Sequence, residues 1–370
     1  MVGNGGVAHY RGLVTCGSIW ACPVCAAKIR NGRAEEIAAA AANWHRAGNS
    51  VLMVTLTAPH DMGMVLECGA CRGSGVEPGT ACSCPGPRRH RTPGRRTPAA
   101  CGLRACVKCA GQGGLLPVIS RSFSAVIAGR AWLALKERVP VAGQIRSLEV
   151  THGPNGWHPH LHVLVFIDGQ ADAAQLAALG IHVREKWRRF IMRAGYRPPS
   201  DLHGVKIDVC TSAAEAGLYI AKTQDGKSPG NELARGDLKS GRDGHRTPFQ
   251  ILGEIADTGD LAGLALWHEY ERSTKGHQAI TWSNGLRRLL LGVEPERSDD
   301  ELAAEEVGGD LVMEISREAW REVTRVLGLE TRLLEEWESG GPGAVIALAA
   351  AYGLVPDPEP PGPVPRLIRR

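Results

Sequence analysis

The stretch HPHLHVLVFI, residues 158–167, places His158, His160 and His162 at alternate positions of an otherwise aliphatic strand. Side chains of a strand alternate between its faces, so the three imidazoles share one side while Leu161, Val163, Val165 and Ile167 take the other. Convergent imidazoles are metal-ligand chemistry. His160 and His162 are the expected pair, and Glu149, expected across a hairpin on the same face, adds a carboxylate that suits Mn2+ or Mg2+. His158 is the fallback third ligand, and Glu149 reads equally as the partner of a nearby basic residue. An ion held this way polarises a phosphate oxygen. Farther along, TSAAEAGLYIAKTQ spaces Glu215, Tyr219 and Lys222 at i, i+4 and i+7, one face of a helix. Tyr219 is a candidate nucleophile, Lys222 a candidate stabiliser of phenolate or phosphate charge, and Glu215 a candidate activator of water. Ser212 and Glu215 also spell S-x-x-E, a capping box that satisfies backbone N–H groups, so Glu215 carries two readings. Metal, nucleophile and charge neutralisation together are the parts of phosphoryl transfer.

The cysteines are a second chemistry. Ten of the eleven lie between Cys16 and Cys109, a clustering that favours zinc over disulfides. Cys16, Cys22 and Cys25 form a C-x5-C-x2-C knuckle short of one ligand, for which His9 is the nearest candidate. Cys68 and Cys71 pair with Cys106 and Cys109 as two C-x-x-C knuckles, a strong tetrahedral zinc signal. Cys82, Cys84 and Cys101, with His90, leave a second inserted site open. Between the knuckles, PGPRRHRTPGRRTP carries Arg88, Arg89, Arg91, Arg95 and Arg96, whose planar forks suit DNA phosphates; a solvated linker is the other reading.

These residues need elements to position them. NGRAEEIAAAAANWHRAG reads as a helix, VLMVTLTAPH (51–60) as a strand, and 119–138 as a helix. QIRSLEVTHG (144–153) and HPHLHVLVFI form a hairpin, 172–193 a helix, VKIDVC (205–210) a strand and 211–224 a helix. The first six core elements run β-α-β-β-α-β, so the fold class expected is α+β with a ferredoxin-like antiparallel sheet, both crossover helices on one face. The expected organisation is 1–48, an N-terminal zinc knuckle and helix; 49–64 with 118–225, the core that carries the histidine hairpin; 65–117, a zinc insertion; 226–298, a helical extension; and 299–370, acidic helices with a disordered tail.

Charge supports that division. Through residue 298 there are 36 basic and 24 acidic side chains, whereas 299–340 holds 4 basic and 13 acidic. The front of the chain fits a polyanion, and the acidic helices offer a surface for a partner such as a host helicase. No run of about 18 apolar residues and no secretory pattern are present, so a cytoplasmic protein without a membrane partner is expected.

HPHLH with YIAK, preceded by a threonine-rich strand, resembles the rolling-circle replication initiators of small bacterial plasmids, members of the histidine-hydrophobe-histidine class of nucleases. TCGSIWACPVCAAKIR is similar to the cysteine-bearing segment that precedes the catalytic core in Gram-positive plasmid initiators. CGACRGSG and CVKCAGQG resemble the outer zinc repeats of J-domain chaperones. The first two resemblances span residues 13–64 and 118–285; the insertion 65–117 departs from the family pattern. The resemblance implies that His160 and His162 bind metal and that Tyr219 attacks a phosphate of plasmid origin DNA, single-stranded at the nick. A 5′-phosphotyrosyl link and a free 3′-hydroxyl would result, and a glutamate at the spacing of Glu215 would serve termination. A conjugative relaxase or single-strand transposase is the nearest competitor. A non-enzymatic zinc regulator of transcription explains the cysteines but leaves the histidine strand and tyrosine helix unaccounted for.

Overall fold

The computed structural model describes residues 1–370 apart from 5–6, 14, 73–107, 109–112, 211–243, 294–295, 306–309, 327 and 370. In chain order its first elements are β1 (Val2–Asn4), β2 (Val7–His9), α1 (Pro23–Arg46), β3 (Ser50–Thr57), α2 (Leu115–Val126) and α3 (Arg130–Arg138). Next come β4 (Val141–Gly153), β5 (Gly156–Ile167), α4 (Ala173–Arg193), β6 (Val205–Val209), α5 (Pro248–Thr258), α6 (Leu261–Thr274), β7 (Ile280–Trp282) and α7 (Leu286–Leu291). The chain closes with α8 (Asp299–Ala304), β8 (Asp310–Leu311), β9 (Glu314–Ile315), α9 (Arg317–Val323), α10 (Leu329–Ala350), β10 (Leu354–Pro356) and β11 (Arg366–Arg369).

The site stands on an antiparallel sheet of order β6-β3-β5-β4-β7. Within it the four core strands lie fourth, first, third, second, with β3 and β5 side by side at the centre. On one face Val54, Leu56, Val163 and Val165 meet Phe123 and Val126 of α2 and Leu179 and Val183 of α4. The stripe of α4 that turns inward, Leu179, Val183, Trp187 and Ile191, follows helical spacing and is at most 5% exposed. Burying each such side chain stabilises the fold by about 1.5–3 kcal/mol. Trp187 also donates its indole N–H to the Thr57 carbonyl at 2.9 Å, tying that helix to the end of β3.

The opposite face changes character along its length. At one end Met53, Ile145, Leu164 and Phe166 are fully buried, with the Trp44 ring of α1 edge-on to Phe166. At the other end Thr55, Thr57, Glu149, Thr151 and the alternate histidines of β5 are only half-buried.

By internal contact the chain divides into two units, Met1–Gly17 with Ser298–Arg370 forming one and the sheet belonging to the other. The smaller unit has its own core, including Met313, Val323, Leu333, Val345, Leu354 and Leu367.

Three expectations from sequence need correction. The helix expected over 119–138 is two, separated at Gly129, whose φ of 79° lies in the left-handed region that glycine adopts without strain. The first helix starts at Pro23 rather than near Asn31, because Cys22 caps it and proline at the first helical position lacks the N–H that would go unbonded. The tail expected to be disordered, 356–370, carries β11, which pairs antiparallel with β10 just before it and buries Leu367. Among the described residues no single helix is long and apolar enough to cross a membrane.

Candidate active site

Backbone register places the imidazoles. His160 lies opposite Thr57 of β3 on one side and Glu149 of β4 on the other, and His162 lies opposite Thr55 and Ser147. Thr57 Oγ1 is 3.0 Å from His160 Nδ1, and Thr55 Oγ1 is 3.2 Å from His162 Nδ1. When each Nδ1–H donates to its threonine, each Nε2 presents a lone pair, the form in which imidazole ligates a cation. Glu149 reaches diagonally, its Oε2 2.6 Å from His162 Nε2. In that contact Nε2–H donates to the carboxylate, so a proton and a divalent ion compete for one nitrogen. Burial, with smaller contributions from neighbouring imidazoles, holds His160 down to about 4 and His158 to about 2; both rings are neutral at pH 7. Neutral imidazoles beside a carboxylate fit a divalent ion with mixed nitrogen and oxygen ligands.

His158 joins this group and brings two residues the sequence reading missed. Its ring stacks on His60 with centroids 3.9 Å apart, lies 3.9 Å from His160, and is 5.3 Å from His245. His245 sits against Gly153, where a Cβ would come within 2.5 Å of His245 Nδ1, so the hairpin end must be glycine to admit that ring. The backbone of Arg246 exchanges hydrogen bonds with His152 at 2.9 and 2.7 Å, and Thr247 opens α5 with a capping box to Gln250. Among the described residues His158 Nε2 and His245 Nδ1 are buried without a hydrogen-bond partner. The sequence did hold a signal for each: His60 closes the threonine strand segment TLTAPH, and His245 stands two residues before the T-x-x-Q cap.

The chain is 36% identical to a protein named "Protein rep" of Streptomyces lividans, over 398 aligned residues that take in 92% of this chain and 79% of that one. The chain belongs to the Rep family of rolling-circle plasmid replication initiators. A "Neomycin resistance protein" of Streptomyces cyanogenus is 26% identical over 327 residues, 73% of this chain and 67% of that protein. No family model and no solved structure matches.

In this Rep-family chain the structure brings together His158, His160, His162 and Glu149. Glu215, Tyr219 and Lys222 lie outside the described residues, as do Arg88, Arg89, Arg91, Arg95, Arg96, Cys82, Cys84, Cys101, Cys106 and Cys109, with His90. Cys68 and Cys71 are described and buried, 5% and 6% exposed.

The first knuckle is described in full. The sulfurs of Cys16, Cys22 and Cys25 lie within 4.8 Å of one another, the one group of three or more metal-ligating side chains among the described residues that converges so closely. Ser18 Oγ accepts the N–H of Ala21 at 2.9 Å, turning the chain, and Cys22 accepts the Cys25 N–H as α1 begins. Three thiols fit a soft or borderline ion. His9, the fourth ligand considered from sequence, is not in that group.

Proposed function

We propose that this Rep-family chain nicks one strand at the double-strand origin of a plasmid, on the polar half of the sheet, with Tyr219 as nucleophile. The observation that carries the reading is the imidazole pair of β5, each Nδ1 met by a threonine hydroxyl and Glu149 reaching His162 Nε2. The strand order fourth, first, third, second supports a ferredoxin-like core; β6 ends beside Leu52 and Val51 of β3, so the reading requires the segment that follows to run back along the sheet toward Thr55 and Thr57 to meet the imidazoles. That segment carries Tyr219.

His160, His162 and Glu149, with His158 in reserve, would hold Mn2+ or Mg2+, which when bound polarises a non-bridging phosphate oxygen. The Tyr219 hydroxyl gives up its proton and its oxygen forms the new bond to phosphorus. The bond from phosphorus to the 3′-oxygen breaks, and that oxygen takes a proton to become the 3′-hydroxyl primer. A 5′-phosphotyrosyl link remains on the protein. Lys222 offsets the charge gathered on phenolate and phosphate. Glu215 either activates the nucleophile of the terminating cleavage or caps its helix. Zn2+ on Cys16, Cys22 and Cys25, and on Cys68, Cys71, Cys106 and Cys109, would order the knuckles, and the arginine loop would contact origin phosphates.

The test is to incubate the full chain with single-stranded origin oligonucleotide and Mn2+ and to search for a nucleotide adduct on the Tyr219 peptide by mass spectrometry. Tyr219→Phe is expected to lose the adduct while keeping DNA binding. An adduct that persists in that variant, or DNA binding with no cleavage in the unaltered chain, would defeat the reading.

A further inference from the structure

The helices on the far side of the sheet from the imidazoles carry charge that no step above uses. Along α4, Arg184, Arg188, Arg189 and Arg193 are exposed and Lys186 is half-buried, against one acid, Glu185. The adjoining α3, whose Trp132 ring lies 5.6 Å from His182 of α4, adds exposed Arg130, Lys136 and Arg138 and one acid, Glu137. Eight cations therefore stand against two anions on the two helices. Arg188 alone of the eight forms an ion pair among the described residues, a loose one of 3.5 Å to the fully exposed Asp201. Arg184 with Arg188, and Arg189 with Arg193, are like-charged pairs at i, i+4, a spacing that repels. Apart from that one exposed ion pair, the arrangement places like charges side by side, which points to a ligand of opposite charge.

We propose that the outer face of α3 and α4 grips the phosphate backbone of duplex DNA. The single-stranded task assigned to the sheet face rests on the nuclease reading above; the duplex task rests on the helices themselves. A single strand is the poorer fit, because binding it draws on exposed rings that stack on bases. Here Trp187 is fully buried, and Trp132 and Phe190 are half-buried. A row of cations without aromatic rings or convergent amides meets phosphates rather than base edges, so the grip is independent of sequence. From Arg184 to Arg193 the helix rises about 14 Å, enough to follow about four phosphates of one strand. The two DNA surfaces lie back to back, and one origin occupies both by running round an edge of the sheet.

The experiment measures binding of the full chain to a random-sequence duplex of about 30 base pairs across a salt series. For Arg184→Ala/Arg189→Ala/Arg193→Ala, the slope of log affinity against log salt should flatten by about 2 to 3, and affinity at low salt should fall about 10- to 100-fold. Arg184→Lys/Arg189→Lys/Arg193→Lys should keep most of the slope, since charge rather than packing is at work. Cleavage of a short single-stranded oligonucleotide should be unchanged in both. An unaltered slope in the alanine variant overturns the proposal, as does equal loss in the lysine variant. Loss of binding to phosphatidylserine vesicles with duplex binding intact would assign the face to a lipid surface instead, and overturn it too. Should the unaltered chain cleave no oligonucleotide, the nuclease reading fails while the duplex result still decides this one.

Discussion

Two groups of side chains that could hold a metal ion are held by opposite means in this chain. His160 and His162 sit on a strand paired along both edges, so the backbone ladder sets their spacing and threonine hydroxyls hold their Nδ1 atoms. Cys16, Cys22 and Cys25 sit on a turn and the first turn of a helix, one exposed, one half-buried and one buried. At the sheet, geometry precedes the ion. At the knuckle, an ion that joins the three sulfurs would supply local folding energy as well as charge.

That contrast can be broken most directly at the strand. His160→Ala/His162→Ala should lower metal-dependent cleavage by more than about 1,000-fold while thermal unfolding stays nearly unchanged. A large fall in melting temperature would mean that the pair holds the fold together. Chelation of zinc, or Cys25→Ser, should do the reverse. Amide exchange would quicken around residues 16–30, with a local loss on the order of a few kcal/mol, while the β4–β5 hairpin stays protected. Equal loosening of hairpin and knuckle would erase the distinction. Smaller again, Thr57→Val removes the group that orients His160 and should weaken Mn2+ binding about 10- to 100-fold, read by titration calorimetry. The smallest expected effect is on acid stability without metal. His158 and His160 are kept neutral in the fold, whereas unfolded histidine protonates near pH 6.5. The unfolded chain therefore binds more protons as pH falls from about 6.5 toward about 4, and denaturant midpoints should decline through that window. Flat midpoints there would show that the rings are charged in the fold.

The hairpin and its histidine face were legible in the sequence because alternation is a property of the strand itself, needing no knowledge of its neighbours. Glu149 was legible for the same reason, once the turn at 153–156 fixed the pairing. His60 and His245 were not, since their approach to His158 depends on where segments 98 and 87 residues away in sequence return. The break at Gly129 was hidden because apolar residues recur at helical spacing on both sides of it. In the tail, prolines outweighed Leu367, a residue whose burial becomes visible only when its partner strands are known.

The alternating placement of imidazole and aliphatic residues along β5 also limits how this strand can drift between lineages. Loss of a single residue between Pro159 and Val163 would swing the downstream half of the strand over, sending a histidine into the layer beneath α2 and α4 and a valine toward the threonines. Replacements can accumulate there one at a time, but gaps cannot. Length variation is expected to collect instead beyond Gly153 and before Gly156, where the chain reverses.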